Sequence, residues 1–252
     1  MNTKLALTLV LVFSFSFGAT TVAAADDDEL GAQTVDHVLD EVERLIEAQK
    51  AAIEAGSLDP LEESFEIAEG ASGPNAEIQR FIADVMNNSV RLRNAYMNEL
   101  QEIGWIRALD AERLAADQDL SESRELLRDG RQVLVKYSRL TTEYIESSPG
   151  GIELLDLPAE EKRSFRAGYE EGLARSEPIR RRIWDLEFDT FDEFGKIFDL
   201  LGDNRSQWQI VNGQIMFESQ ALLDVFNSHL MRMQELTNEQ FRIQQQNVQS
   251  LR

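Results

Sequence analysis

The 252-residue chain contains no cysteine. That excludes disulfides, thiolate nucleophiles, Cys-ligated zinc or iron–sulfur centres, and a lipid-modified cysteine behind a leader. Histidine is almost as scarce, at two residues, His37 and His229. Neither has a Glu three positions before it, since Thr34 and Phe226 stand there. The paired Glu-x-x-His motifs of di-iron bundles are therefore missing, and two histidines do not make a multi-His zinc site. There is no Gly-x-Ser-x-Gly elbow and no Gly-rich phosphate loop ahead of a helix. A catalytic role has no recognisable parts to rest on, and the chain reads as a non-enzyme without a cofactor.

Long apolar runs are also lacking. The signal-like run of apolar and small hydroxyl residues, Leu5–Phe17, covers 13 residues, short of the roughly 20 that span a bilayer. It follows a short positive start, Met1–Lys4, and precedes Ala23-Ala24-Ala25 and then Asp26. That order predicts a secretory signal peptide over 1–25 and an exported protein, periplasmic or extracellular, with no stable membrane insertion after cleavage.

Positive charge is in short supply. Lys and Arg number 25 against 46 Asp and Glu, a net of −21. Much of the excess is local: residues 26–75 hold 15 acids and two bases. Such a chain repels nucleic acid and anionic membrane surfaces.

What is present is helical spacing. The stretch Ile179–Leu201 sets Trp184, Phe188, Phe191 and Phe198 along one helical face, with Gly195 in the remaining step. Asp185, Glu187, Asp189, Asp192 and Glu193 lie between the rings, mostly on the opposite side by the same spacing. The stripe calls for burial against other helices, and core packing is its preferred role.

The rest of the chain supplies those helices. Val35, Leu39, Val42, Ile46 and Ile53 mark a coiled-coil-like seam over about Thr34–Ala55, suited to dimerisation or docking. A short helix follows Asp59-Pro60 and ends by Gly70. From about Asn75 a stripe through Ile78, Val85, Leu92 and Leu100 predicts a helix to Ala116, with Gly104 as the only breaker. Asp119-Leu120-Ser121-Glu122 resembles a capping box for the next helix, which stops at Ser148-Pro149-Gly150-Gly151.

Leu157-Pro158-Ala159-Glu160 opens a further helix, which Pro178 kinks or ends before the aromatic stripe. Gly202-Asp203-Asn204 reads as a C-cap and turn. A last helix is predicted from about Ser206, with Trp208, Val211 and Ile215 on its apolar face. No strand is predicted, because Asn212-Gly213 falls inside that helical pattern.

The expected fold is all-α: 26–33 as an acidic leader, then a single domain to 252. It is an elongated up-and-down bundle of about four long helices plus an N-terminal helix pair. The expected function is binding, as a scaffold, chaperone-like or envelope interaction protein, through a protein partner or self-association along helix seams. The alternative is a small-molecule-binding bundle with an aromatic pocket near Trp184 and Trp208.

Arg175, Arg180, Arg181 and Arg182 form the densest basic cluster, at an anticipated helix start where positive charge is unfavourable. They are candidates for an anion or acidic-partner site, with pairing to the acidic segment 26–75 as the preferred explanation. His229 and Met233 are one turn apart and offer copper(I) two soft ligands, while Met231 points away. A core Met233 beside a flanking His229 is the simpler reading. Asn87-Asn88-Ser89 and Asn204-Arg205-Ser206 match the glycosylation sequon.

Overall fold

The computed structural model describes residues 40–51, 65 and 72–249. The expected leader, most of the second helix and the start of the first lie outside the described residues. The chain is mostly helical. Residues 40–51 are helical (α1). There follow α2 (Gly73–Glu102), α3 (Ala111–Ala116), α4 (Ser121–Ser147), α5 (Ala159–Asp203), β1 (Trp208–Val211), β2 (Gln214–Phe217) and α6 (Gln220–Gln249). Short 3₁₀ turns cover Trp105–Arg107, Ser148–Leu154 and Arg205–Gln207. Among the described residues no helix is long and apolar enough to cross a membrane.

The helix predicted from Asn75 to Ala116 is not continuous. Gly104 adopts φ +81° and ends α2 in the left-handed region, which glycine enters without a Cβ penalty. Asp110 then caps α3 by accepting from the Arg113 backbone N–H at 2.8 Å. The start of α4 also differs from the anticipated capping box. Asp117 accepts from the Ser123 N–H and hydroxyl, each at 2.7 Å, while Leu120 turns the chain at φ +55°. Gly202 remains helical rather than capping, and α5 ends at Asp203.

The last helix begins 14 residues later than Ser206. In its place stands an antiparallel hairpin, with Trp208 opposite Phe217 and Ile210 opposite Ile215. Asn212 and Gly213 both have positive φ, 53° and 73°, the geometry of a type I′ turn. Trp208, Ile210, Ile215 and Phe217 pack inward on the core. The prediction of no strand was therefore wrong. Apolar pairs at 210–211 and 215–216 fit both a helical and an alternating pattern; the Asn-Gly turn permits the hairpin, and burial of Trp208 and Phe217 selects it.

Neighbouring long helices run antiparallel. Between α4 and α5 the ion pairs Arg124–Asp199 and Arg131–Asp192 step by seven residues in opposite directions. Between α5 and α6, Arg182 meets Glu239 and Glu193 meets His229. Between α2 and α4, Glu99 meets Lys136 and Tyr96 meets Tyr137.

The interior divides into two apolar clusters. One gathers Val42, Ile46, Phe81, Phe165, Tyr169 and Phe241. The other gathers Trp105, Phe191, Phe194, Phe198, Trp208 and Phe226. Val42 and Ile46, anticipated as a seam for a partner, are thus covered by their own chain. Phe191 and Phe198 are fully buried, and Phe191 stacks on Trp105 at 4.5 Å and 13°. That is the core role the stripe called for.

Candidate functional site

The arginine cluster sits inside a continuous helix rather than at a helix start. Pro178 neither ends nor caps anything; it lies within the 45 residues of α5. A proline there removes one backbone donor and crowds the preceding turn. The carbonyl that loses its helical donor is that of Ala174, and polar side chains brace the turn just before it. Arg180 reaches back and donates from Nη1 to the Leu173 carbonyl at 3.1 Å and to the Ser176 hydroxyl. Ser176 in turn donates to the Gly172 carbonyl at 2.9 Å. Burial lowers the pKa of Arg180, with Glu177 and Glu146 opposing.

The other three arginines pair with carboxylates on α5 and α6. Arg175 meets Glu171, Arg181 meets Glu177, and Arg182 meets Glu239 at 2.8 Å. These acids lie outside the 26–75 segment anticipated as their partner, most of which is outside the described residues.

The structure does not bring Trp184 and Trp208 together. Trp184 is half-buried against Tyr96, with ring centroids 6.2 Å apart. Trp208 is anchored near the far end of α5 by its indole N–H, which donates to the Leu201 carbonyl at 2.8 Å. Arg205 lies over its ring at 4.2 Å. From residue 184 to residue 201 the helix rises about 26 Å, so a single aromatic pocket does not hold both.

His229 and Met233 separate as well. Met233 is core, and His229 Nδ1 lies 2.7 Å from Glu193 Oε2. Glu193 Oε1 accepts from Lys196 at 2.6 Å. Burial raises the pKa of Glu193, but the hydrogen bonds from Lys196 and His229 outweigh it and the net shift is downward. Among the described residues no group of three His, Cys, Asp or Glu side chains is placed to hold a metal. Both sequon amides are engaged inside the chain: Asn87 pairs with both backbone groups of Phe65, and Asn204 donates to the Leu200 carbonyl.

Three features escaped the sequence reading. The first is a furrow on the outer face of α4 lined by Arg124, Arg128, Arg131, Val135, Lys136 and Arg139. Its cations are paired with Asp199, Glu125, Asp192, Glu99 and Glu143. Arg124, Arg131 and Lys136 thereby link α4 to its neighbours. Exposed pairs of this kind contribute little individually.

The second is the hairpin. Residues 206–217 contain no charged side chain, between Arg205 and Glu218, in a chain where 28% of residues are charged. Its outward side chains include Val211 and Met216, 40% and 48% exposed.

The third is a polar layer between the two apolar clusters. Arg93 on α2, Thr141 on α4, Glu187 on α5 and Gln240 on α6 are all buried there. Glu187 Oε2 accepts from the Gln240 amide at 3.1 Å, and Oε1 lies 3.5 Å from the Tyr96 hydroxyl. The same amide also donates to the Ile183 carbonyl at 3.3 Å. Burial pushes the Glu187 carboxyl up to about 8, against the hydrogen bonds from Gln240 and Tyr96. Burial brings Arg93 down to about 10. Glu187 and Glu193 turn inward rather than to the outer side of the stripe: Glu187 meets Tyr96 of α2 and Gln240 of α6, and Glu193 meets His229 of α6.

No family model matches this chain, and neither a curated protein nor a solved structure matches it.

Proposed function

We propose that the chain is an exported, elongated up-and-down helical bundle with its N-terminal helices laid alongside. It acts by binding a protein partner, in a scaffold, chaperone-like or envelope interaction role, and not by catalysis. The supporting observation is the uncharged hairpin. Natural sheet edges are normally guarded by charge, proline or a covering element. Here a 12-residue charge-free segment exposes Val211 and Met216 on a chain of net charge −21. A partner approaching there avoids the like-charge repulsion it meets elsewhere, and apolar contacts at such a surface supply affinity.

Affinity capture from the host's own envelope fraction tests this. The protein without residues 1–25 and its Val211→Lys/Met216→Lys double variant serve as baits, with captured proteins identified by mass spectrometry. The reading expects one or a few proteins retained by the parent chain and lost with the double variant. The same proteins on both baits, or none on the parent, would count against it.

A further inference from the structure

Glu187 occupies the layer where the two apolar clusters meet, and it is 1% exposed. The groups facing it are mostly neutral. From α2 comes the Tyr96 hydroxyl, with Arg93 one turn earlier. From α4 comes Tyr137, which reaches Tyr96 at 5.4 Å between ring centroids rather than the carboxyl. From α6 comes the neutral amide of Gln240, while its neighbour Glu239 turns outward to Arg182. Farther along α5, Glu193 is engaged by Lys196 and His229. Among the described residues no ion pair reaches the Glu187 carboxyl, and its hydrogen-bond partners, Tyr96 and Gln240, are neutral.

We propose that Glu187 is a proton-controlled latch between α5 and α6. With its proton on, the carboxylic acid joins Tyr96 and Gln240 in a neutral network that closes the polar layer. Without it, a carboxylate with no ion-pair partner stands between two apolar clusters and the layer opens. The physical basis is the cost of burying a charge without a partner. The proton moves to solvent, and no covalent bond changes.

The sign follows from the two states. An unfolded Glu ionises near 4.5, whereas burial holds the folded carboxyl up to about 8. Within that window the unfolded chain has lost the proton and the folded chain keeps it. Stability from this group therefore falls as pH rises from about 4.5 to about 8, and is level outside it. At mid-window the folded-to-unfolded ratio falls about tenfold per pH unit.

The test compares the parent chain with Glu187→Gln, whose amide copies the neutral acid in shape. Urea unfolding is followed from pH 5 to 9, with hydrogen exchange corrected for intrinsic rates. Relative to the glutamine variant, the parent's folded-to-unfolded ratio should drop about tenfold per pH unit in mid-window and level off above about pH 8. Exchange at 183–191 and 236–244 should speed up with pH in the parent only. Parallel pH dependence in the two proteins overturns the latch. If Glu187→Gln does not fold, a ¹³C-carboxyl titration of the parent decides. A Glu187 midpoint well above the ordinary carboxylate range supports the latch, and a midpoint within that range overturns it.

Discussion

The ring of Phe191 lies where a side chain at residue 130 would begin. A Cβ on Gly130 would stand 2.7 Å from Phe191 Cε1 and 2.9 Å from Trp105 Cε3. The glycine thus lets α4 and α5 approach closely enough for the Trp105–Phe191 stack to fill the space between them.

Gly130→Ala should therefore destabilise the protein despite the better helix propensity of alanine. Propensity favours alanine by about 1 kcal/mol, whereas overpacking a filled core costs about 1–3 kcal/mol. Two rigid rings leave little room to yield. Urea denaturation should show a net loss, and Phe191→Leu in the same chain should recover part of it. A more stable Gly130→Ala protein would show that the rings move aside.

Arg180 and Pro178 should be coupled. With Pro178 present, Arg180→Ala removes the donor that reaches the Leu173 carbonyl, at a cost of about 1 kcal/mol. Pro178→Ala restores a backbone donor and should stabilise the exposed turn, since an interior proline costs about 3 kcal/mol. The restored N–H serves the Ala174 carbonyl and straightens the turn that Arg180 reaches across, so in the Pro178→Ala background Arg180→Ala should cost measurably less. A double-mutant cycle by thermal or urea unfolding measures the difference. Additive effects would show that Arg180 acts elsewhere.

Glu193 should give the opposite pH dependence to Glu187. Its folded pKa is depressed, so its contribution is present above the unfolded pKa and is lost as pH falls through the folded value. Glu193→Gln should therefore cost about 1 kcal/mol at pH 7. It should cost less as pH is lowered toward 3, because the parent's carboxyl takes up its proton and becomes neutral like the glutamine. Unfolding curves at the two pH values make the comparison.

The hairpin turn should depend on Gly213. With φ at +73°, a β-branched residue there is forced into the left-handed region, at a cost of roughly 1–2 kcal/mol. Gly213→Val should weaken the pairing of β1 with β2, seen as faster amide exchange at 209–216. Burial of Phe191 and Phe198 should remain unaffected, because the rings packed on them, Trp105 and Phe194, lie outside the hairpin. Global unfolding on this single change would show that the hairpin is integral to the core.

Much of the helical content was legible along the chain. The 3.6-residue spacing of apolar side chains marked the long helices, Pro158 marked the start of α5, and Pro149 marked the close of α4. The rings of Phe191 and Phe198 were legible as core because a helix that apolar on one side has to be covered. Local spacing is short-range information, and it specifies which face of a helix is buried.

The tertiary structure decided the rest. The segment Ile210–Met216 fits two periods, and it becomes a hairpin because Trp208 and Phe217 find a common apolar surface. The inward placement of Glu187 depends on Gln240, 53 residues away, and that of Glu193 on His229, 36 residues away. A helix's own sequence gives the direction of its apolar stripe. How wide the buried arc is, and which polar residues at its margin find partners inside, depends on helices that arrive from elsewhere in the chain.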